Sequence, residues 1–447
     1  MAARELGKHV MNKKLLALAI AAAIGGPLNA FAANSVTLYG RVGVEYGSVD
    51  IDQVATLPSS TSNDYRQESV SDNAGVSRWG LWIVEDLGGG LKANARIEYA
   101  FYTGNGVTNT AREQWVGLAS DAWGAVQFGR VHSPFKDFSG GMLLDPFTWT
   151  NLQAQGSGGA MYAPSNGFGV TGWVDHAIRY NSPSWGGFSM ALLFSPGDAT
   201  QTDPASTTFT VNSTTGVVAA TPVNGGNVGG KGGTSNYQIG LKYKWGSMGE
   251  IFGGYSNDEA SDAQKAVAPS AATNFRTADD EQVWRLGTAW NFGNFRIAAQ
   301  YDKIENALAG NGGATCSSPA SASGGGDAGL STGQCNTSLN VNGDGDIWFL
   351  TTQYKIGKTT LVLQGGATKA DSVSNAAGVV VASEREAKNL TAGAIYMLSK
   401  RTRVFGGYQR VSVDGARNVA NTTATGTAVL ATQPDRSTWT LGMRHDF

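Results

Sequence analysis

Short segments in which apolar and polar side chains alternate are the feature of this chain that most constrains its fold. In one of them, Ala93, Ala95, Ile97, Tyr99 and Phe101 alternate with Lys92, Asn94, Arg96 and Glu98. A period of two places all apolar side chains on one face of a β-strand, whereas on a helix it would scatter charge over every face. The segment therefore predicts a strand with one apolar and one polar face.

Sixteen segments of this kind follow one another along the chain. They lie at about 35–47, 74–86, 91–103, 112–119, 124–131, 175–183, 187–197, 236–245, 248–257, 281–292, 294–305, 345–357, 359–371, 388–398, 401–413 and 436–447. The connections alternate between tight turns, such as Gly88-Gly89-Gly90, and long loops rich in Gly, Ser, Thr and Asn, such as Asn306 to Asp344. An even strand number with short turns at one end and long loops at the other is typical of bacterial outer-membrane barrels.

The predicted fold class is all-β: a sixteen-stranded antiparallel transmembrane β-barrel with short periplasmic turns and long external loops. No stretch beyond the amino terminus approaches the ~18 consecutive apolar residues of a helical span, so a closed barrel is the remaining way to cross a membrane. A secreted all-β protein would share the local alternation. The sorting of the loops, and tyrosines near strand ends such as Tyr46, Tyr301 and Tyr354, favour the barrel.

The first 32 residues predict a secretory signal peptide. A basic start is followed by the apolar run from Leu15 to Ile24 and by the small-residue site Ala30-Phe31-Ala32, which is the order of a cleaved signal. Met11 begins a complete signal of its own, so either Met1 or Met11 can be the functional start. We expect a signal peptide at 1–32 and a barrel domain at 33–447.

The charge balance of the barrel domain argues against a nucleic-acid partner. The signal takes four of the 33 basic residues and one of the 35 acidic residues, which leaves 29 and 34. Proteins that bind nucleic acid usually carry a basic surplus instead. The charge excess of this domain is acidic, so we expect no nucleic-acid partner.

Motifs for metal, cofactor or catalytic chemistry are not apparent in the sequence. The four histidines have no ligand spacing, and no Gly-x-Ser-x-Gly elbow occurs. We therefore expect no cofactor, no metal and no enzymatic activity; a barrel hydrolase using His132 as its base is the minor alternative. The two cysteines, Cys316 and Cys335, lie in one long external loop, and an even pair in an exported chain predicts a disulfide.

Five sequence motifs, in this order, closely resemble the Gram-negative general porin family. They are Val36-Thr37-Leu38-Tyr39-Gly40, Ser77-Arg78-Trp79-Gly80, Trp115-Val116-Gly117-Leu118, the segment from Trp123 to Arg130, and the ending from Gly442 to Phe447. The resemblance implies a homotrimer among outer-membrane lipids through which ions and small hydrophilic solutes diffuse passively. It also implies that the third external loop folds into the lumen, and that Phe447 is the signal read by the barrel assembly machinery.

The resemblance assigns the pore constriction to the third loop, Val131 to Val174, which we call the constriction loop. Its acids Asp137 and Asp145 are expected to face a basic wall. Strand parity turns Arg41, Arg78 and Arg179 inward, and Arg112 matches the family's fourth-strand arginine although its parity is less clear, because Glu113 falls with Trp115 in the outward set. Opposed charges across a narrow, low-dielectric waist would produce a transverse field that favours hydrophilic solutes.

Two rival functions stay open at this point. The loops Pro196 to Ser235 and Asn306 to Asp344 are long enough to cover the mouth of a substrate-selective channel or to bind a partner as a surface adhesin or receptor. Ion preference is open too, because the arginines suggest anions and the net charge suggests cations.

Overall fold

A computed structural model describes the protein at residues 34–51, 65–71, 77–103, 110–155, 172–196, 207–211, 218–222, 235–259, 279–306, 344–371, 373–374, 380–382, 384–414, 416–419, 429–432 and 435–447. The predicted signal peptide, Cys316 and Cys335 lie outside these residues. Among the described residues, no helix has the length and apolar character needed to cross a membrane.

The described residues are almost entirely strand. The strands are β1 Ser35–Ile51, β2 Tyr65–Ser71, β3 Arg78–Gly88, β4 Leu91–Ala100, β5 Thr110–Ser120, β6 Gly124–His132, β7 Trp173–Asn181, β8 Phe188–Ser195, β9 Thr207–Val211, β10 Val218–Pro222, β11 Asn236–Trp245, β12 Gly249–Asp258, β13 Glu281–Phe292, β14 Phe295–Glu305, β15 Gly345–Ile356, β16 Thr359–Ala370, β17 Val373–Ser374, β18 Val380–Ala382, β19 Arg385–Met397, β20 Thr402–Asp414, β21 Ala416–Val419, β22 Val429–Thr432 and β23 Arg436–Asp446. Two short helices, α1 Pro134–Asp137 and a 3-10 turn at Gly141–Leu143, follow β6.

Sixteen strand positions close into an antiparallel barrel, which confirms the predicted fold class. Each strand from β3 to β8, then β11 to β16, β19, β20 and β23, pairs with the next, and β23 pairs with β1. The closing register places Arg41 opposite Asp446. At the seam, the backbones of Gly40 and Phe447 exchange two hydrogen bonds of 3.0 Å. Among the described residues, each of these sixteen strands is therefore paired on both sides.

The second strand position differs from the prediction because two strands share it. The external half of β1 pairs with β2, and the periplasmic half pairs with β3. At the break, Ser77 Oγ accepts a hydrogen bond from Gly43 N at 3.1 Å and donates one to Gly43 O at 3.2 Å. A side chain thus contacts β1 at the point where its pairing passes from β2 to β3. Of the predicted strand at 74–86, the structure shows β3 from Arg78, and residues 74–76 lie outside the described residues. Three hairpins, β9–β10, β17–β18 and β21–β22, also extend into segments predicted as loop.

The two faces of the strands separate as the alternation predicts. Outward positions carry exposed apolar side chains, including Val36, Leu38, Leu286, Trp348, Leu363 and Leu441. Inward positions carry polar residues and arginines, together with apolar residues where the constriction loop packs. The lipid-facing band and the lumen are therefore set by strand parity.

A β-bulge interrupts the alternation of β5 between Ala111 and Gln114, and beside it one predicted direction, that of Trp115, is wrong. Ile97 pairs with Gln114, but Tyr99 pairs with Ala111, so β5 has one residue more than β4 over this step. The extra residue lets Arg112 and Glu113 both lie buried. Trp115, predicted outward, is 6% exposed, whereas Val116 is 59% exposed. The bulge explains why simple alternation left the direction of Arg112 unclear.

The pore constriction as the candidate functional site

The constriction loop turns into the barrel immediately after β6. Ser133 caps α1 through a hydrogen bond that its Oγ accepts from Lys136 N at 3.1 Å, and Pro134 occupies the first helical turn. Phe135 is fully buried against the wall. The local sequence therefore both stops the strand and directs the loop inward.

The first contact of the loop is a notch between two wall strands. Gly240 on β11 and Gly254 on β12 are directly paired. A Cβ on Gly254 would come within 2.9 Å of the Phe135 ring, and one on Gly240 within 2.9 Å of the Phe138 ring. Glycine at these two positions leaves room for the loop's aromatic side chains without a shift of either ring.

The second contact lies farther around the barrel. Phe147 and Leu152 form a buried apolar cluster with Val362, Ile395 and Phe405 of the wall. Polar wall groups complete it: Gln409 Nε2 donates to Leu152 O at 3.0 Å, Gln364 Nε2 donates to the same oxygen at 3.3 Å, and Glu45 accepts from Asn151 N. The described part of the loop is thus fixed along the wall at both ends.

Asp145 lies inside the loop rather than opposite the basic wall. Its carboxylate accepts backbone hydrogen bonds from Phe147, Ala154 and Gln155 at 2.8, 2.6 and 3.0 Å and is 4% exposed. Burial raises the pKa of Asp145, while these backbone donors act in the opposite direction. Its observed contacts bind the loop to itself, which differs from the predicted role as a field-generating acid.

Two of the predicted arginines, Arg78 and Arg112, converge on one carboxylate, Glu98, together with Arg96, which was not predicted for the site. Arg112 Nε donates to this carboxylate at 2.6 Å, Arg96 Nη2 at 2.9 Å, and Arg78 Nε lies 3.8 Å away. Arg41, opposite Arg78 in the register, pairs with Asp446 instead. The structure therefore brings Arg41, Arg78 and Arg112 to one side of the lumen and adds a shared acid, Glu98, at 1% exposure.

A tryptophan of the constriction loop covers these cations. The Trp149 ring centroid lies 4.9 Å from Arg112 Cζ, 5.4 Å from Arg78 Cζ and 5.1 Å from Lys136 Nζ. Lys136 Nζ also lies 3.5 Å from the Trp173 ring centroid. Burial, with Arg112 and Arg78 nearby, holds the pKa of Lys136 well below its usual range. Cation–π contact therefore joins Trp149 of the loop to the basic wall.

Arg179 and Asp137 meet directly. Arg179 Nη2 lies 2.7 Å from Asp137 Oδ1, and Nη1 donates to Oδ2 at 2.9 Å. Arg179 is thus paired with a carboxylate of the loop rather than with Glu98. Neighbouring Arg130, which parity places with the outward residues Val126 and Phe128, forms an ion pair with Asp175 of β7.

Several contributing residues were not identified from the sequence. Arg403 and Arg444 are paired in the register beside Arg41 and carry the basic wall onto β20 and β23. Parity turns Arg444 into the lumen and places Arg403 in the inward set of its strand, but neither was assigned to the constriction. Parity turned Glu98 inward but did not identify it as an acid that several arginines share. The Trp149 contacts depend on the path of the loop, for which no sequence signal exists.

Comparison with known proteins gives one consistent result. The family model described as Gram-negative porin matches residues 17–416. An outer membrane porin protein of Bordetella pertussis is 33% identical over 202 residues, covering 41% of this chain and 48% of that protein. The major outer membrane protein P.IA of Neisseria meningitidis serogroup C is 30% identical over 315 residues, covering 66% of this chain and 76% of that protein.

Solved structures agree at the level of the fold. The anion-selective porin from Comamonas acidovorans has a TM-score of 0.58 and 19% identity, covering 93% of this chain and 100% of that one. OmpF of Salmonella typhi, in complex with daunomycin, has a TM-score of 0.54 and 14% identity, with 93% and 98% covered. With the closed barrel and the inward loop, these matches show that the chain belongs to the Gram-negative porin family of the outer membrane.

Proposed function

We propose that the chain is a diffusion channel for ions and small hydrophilic solutes, narrowed by the constriction loop and selective for anions. The observation that carries the proposal is the unequal charge at the waist. Six inward arginines adjoin three carboxylates there: Arg41, Arg78, Arg96, Arg112, Arg403 and Arg444 with Glu98, Glu113 and Asp446. Guanidinium groups stay charged at any working pH, so the excess is permanent.

The position of Asp145 supports the anion preference. A loop acid facing the arginines would balance their field, but Asp145 is enclosed by the backbone donors of its own loop. Asp137 is neutralised by Arg179. The positive side of the predicted transverse field is therefore the stronger one, and a low-dielectric wall focuses it. The anion-selective porin from Comamonas acidovorans offers a parallel in fold alone.

Reversal potentials across a salt gradient in planar bilayers test this proposal. We expect wild-type channels to favour chloride over potassium, and Arg41→Ser with Arg78→Ser to shift the potential towards cations. Lys358→Ser, in a periplasmic turn, is the matched control and should leave the potential unchanged. Cation preference in the wild type, or an unshifted double variant, would contradict the assignment of this wall.

The assembly of the channel is a further part of the proposal. We infer that residues 1–32 are removed on export, that Cys316 and Cys335 form a disulfide, and that Phe447 is read by the assembly machinery. A homotrimer in outer-membrane lipid is supported by OmpT of Vibrio cholerae, whose structure is titled as a trimer form. Mass spectrometry of the mature protein and unheated gel electrophoresis test these points.

A channel role also accounts for the chain better than catalysis does. The relatives are porins, and His132, the one candidate base, lies beside Glu113 and Asp137 in the wall of the constriction. We propose that His132 supports the loop and that the protein is not an enzyme. Hydrolysis of model esters by the purified protein, lost in His132→Gln, would overturn this.

A further inference from the structure

We propose that Arg285 is a positioning residue of the constriction: its guanidinium holds the start of the constriction loop against the wall and so keeps the channel open. The inference rests on the proposed function, because it assigns a role within that diffusion channel. Arg285 lies on β13. Much of the basic wall lies in another part of the barrel, on β1 and β3–β5. Arg285 was not among the residues predicted for the site.

The guanidinium of Arg285 joins the wall to the loop. Nε and Nη2 donate to the two oxygens of Asp302 at 2.8 and 2.7 Å. Nη1 donates to two loop carbonyls, Phe135 O at 2.7 Å and Ser139 O at 3.0 Å. The planar, five-donor geometry of arginine makes this double attachment available to no other side chain.

Burial makes the attachment strong. The side chains of Arg285 and Asp302 are 1% and 4% exposed, and the Phe135 ring centroid lies 4.6 Å from Arg285 Cζ. Removing one partner of such a pair leaves an uncompensated buried charge, so the loss is far larger than for a surface ion pair. The two loop carbonyls would lose their donor as well.

Gln300 extends the attachment by one more residue. Its Nε2 donates to Asp302 Oδ2 at 3.1 Å, and its Oε1 accepts from Gly141 N at 2.6 Å. Arg285, Asp302 and Gln300 therefore hold the loop from Phe135 to Gly141. The glycine notch described above receives the aromatic side chains of the same segment.

Strand pairing does not depend on this ion pair. Arg285 and Asp302 are directly opposite in the register of β13 and β14, whose backbone ladder already joins the two strands over eleven residue pairs. What the guanidinium adds is the pair of bonds to the loop. Its loss is therefore expected to release the loop while the barrel remains closed.

Single-channel recording in planar bilayers tests the role of Arg285. The background carries Cys316→Ser and Cys335→Ser, so that no native thiol interferes. In Arg285→Gln we expect the time spent in closed or flickering states at fixed voltage to rise by about ten-fold, as a shift between two loop arrangements. Arg285→Lys keeps the charge but cannot make both sets of bonds, so it should lie between wild type and Arg285→Gln.

Arg296→Gln is the matched control. Arg296 is an inward-facing arginine on the neighbouring strand β14. It pairs with Glu250 at 3.8 Å and donates to Asn291 Oδ1 at 3.1 Å, and neither of these partners belongs to the loop. The Arg296→Gln variant removes one positive charge from the same half of the lumen, as Arg285→Gln does. If loss of charge alone caused closure, Arg296→Gln would close as often as Arg285→Gln, and the positioning role would be overturned.

A reversible crosslink keeps the proposal falsifiable if Arg285→Gln alone fails to assemble. An ideal Cβ on Gly254 lies 3.2 Å from Ser139 Oγ, which suits a disulfide between Ser139→Cys and Gly254→Cys after a small shift of the Phe135 ring. This pair is introduced with and without Arg285→Gln, and the channel is recorded oxidised and then reduced.

Each crosslinked variant can be compared with itself, because the same folded channel is recorded before and after reduction. We expect oxidised Arg285→Gln channels to stay open as the crosslinked parent does, and reduction to increase closure only where Arg285 is missing. If channels with and without Arg285→Gln close equally often after reduction, the proposal would be overturned. A wild type that forms no channel at all would instead refute the proposed function, so the two failures are distinguishable.

Discussion

The guanidinium of Arg179 and the carboxylate of Asp137 form an ion pair that links the barrel wall to the constriction loop, with Nη2 2.7 Å from Oδ1. Burial by itself raises the pKa of Asp137, but the charge of Arg179 and the hydrogen bond with His132 lower it below the usual aspartate range. The two groups were expected on opposite sides of the pore. They meet because α1 begins one residue after Ser133 and carries Asp137 back towards β7.

This pair is expected to make the constriction insensitive to moderate acid. Because the folded-state pKa of Asp137 is lowered, the pair stabilises the loop fully above the unfolded value of about 3.9 and is lost only as the pH falls through the lower folded value. Reversal potentials should therefore stay constant from neutral pH to about pH 4.5. The measurement is repeated in Asp145→Asn, because the raised pKa of Asp145 is the other source of a change. A change of the reversal potential with pH in this range that persists in Asp145→Asn and vanishes in Asp137→Asn would contradict the expectation.

Glu98→Gln should increase anion selectivity and lower stability. The carboxylate serves Arg112, Arg96 and Arg78 together, so its loss leaves buried arginines uncompensated at a cost of about 3–5 kcal/mol. Reversal potential and thermal unfolding in detergent measure the two effects. Glu250→Gln is the control, because Glu250 also faces the lumen but its two ion pairs are longer, at 3.4 and 3.8 Å. Equal effects of the two variants would argue against a special role for Glu98.

Trp149→Leu should raise single-channel conductance. The indole ring lies against Arg78, Arg112 and Lys136, each contact contributing about 0.5–2 kcal/mol, and a leucine neither fills that space nor attracts the cations. Trp149→Phe keeps an aromatic face and is expected to stay closer to the wild type. If both variants conduct as the wild type does, the ring does not limit the path of ions.

Gly40→Ala should reduce the yield of closed barrels. A Cβ on Gly40 would lie 2.3 Å from the Phe447 ring and 2.7 Å from Arg78 O, so it would disturb the seam where Gly40 and Phe447 exchange hydrogen bonds. Gly253→Ala is the control, since its Cβ comes no nearer than 3.3 Å to any neighbour. The heat-modifiable gel shift measures the folded fraction. Equal folding of both variants would show that the seam tolerates the added methyl group.

Strand parity and the structure agree on the direction of Arg41 and Arg78, but they differ on β5. Arg41 and Arg78 face the lumen as expected, because a two-residue period has only two outcomes for each side chain. Parity failed on β5: Trp115, predicted outward, is buried although its own pairing with Arg96 is regular, and a bulge between Ala111 and Gln114 leaves both Arg112 and Glu113 buried. A bulge is specified by the pairing of two strands, so neither strand reveals it alone.

The sequence by itself determined the barrel, its strand number and the side of the wall that carries the arginines, because alternation and loop lengths are local properties of the chain. Only the tertiary structure decided the partners of those arginines. Asp145 turned out to bind its own loop, Glu98 to be a shared acid, and Arg285 to reach carbonyls about 150 residues away in the chain. Such contacts depend on the path of the constriction loop through the lumen. That path is set by notches, buried ion pairs and apolar clusters assembled from distant strands, and no local pattern encodes them.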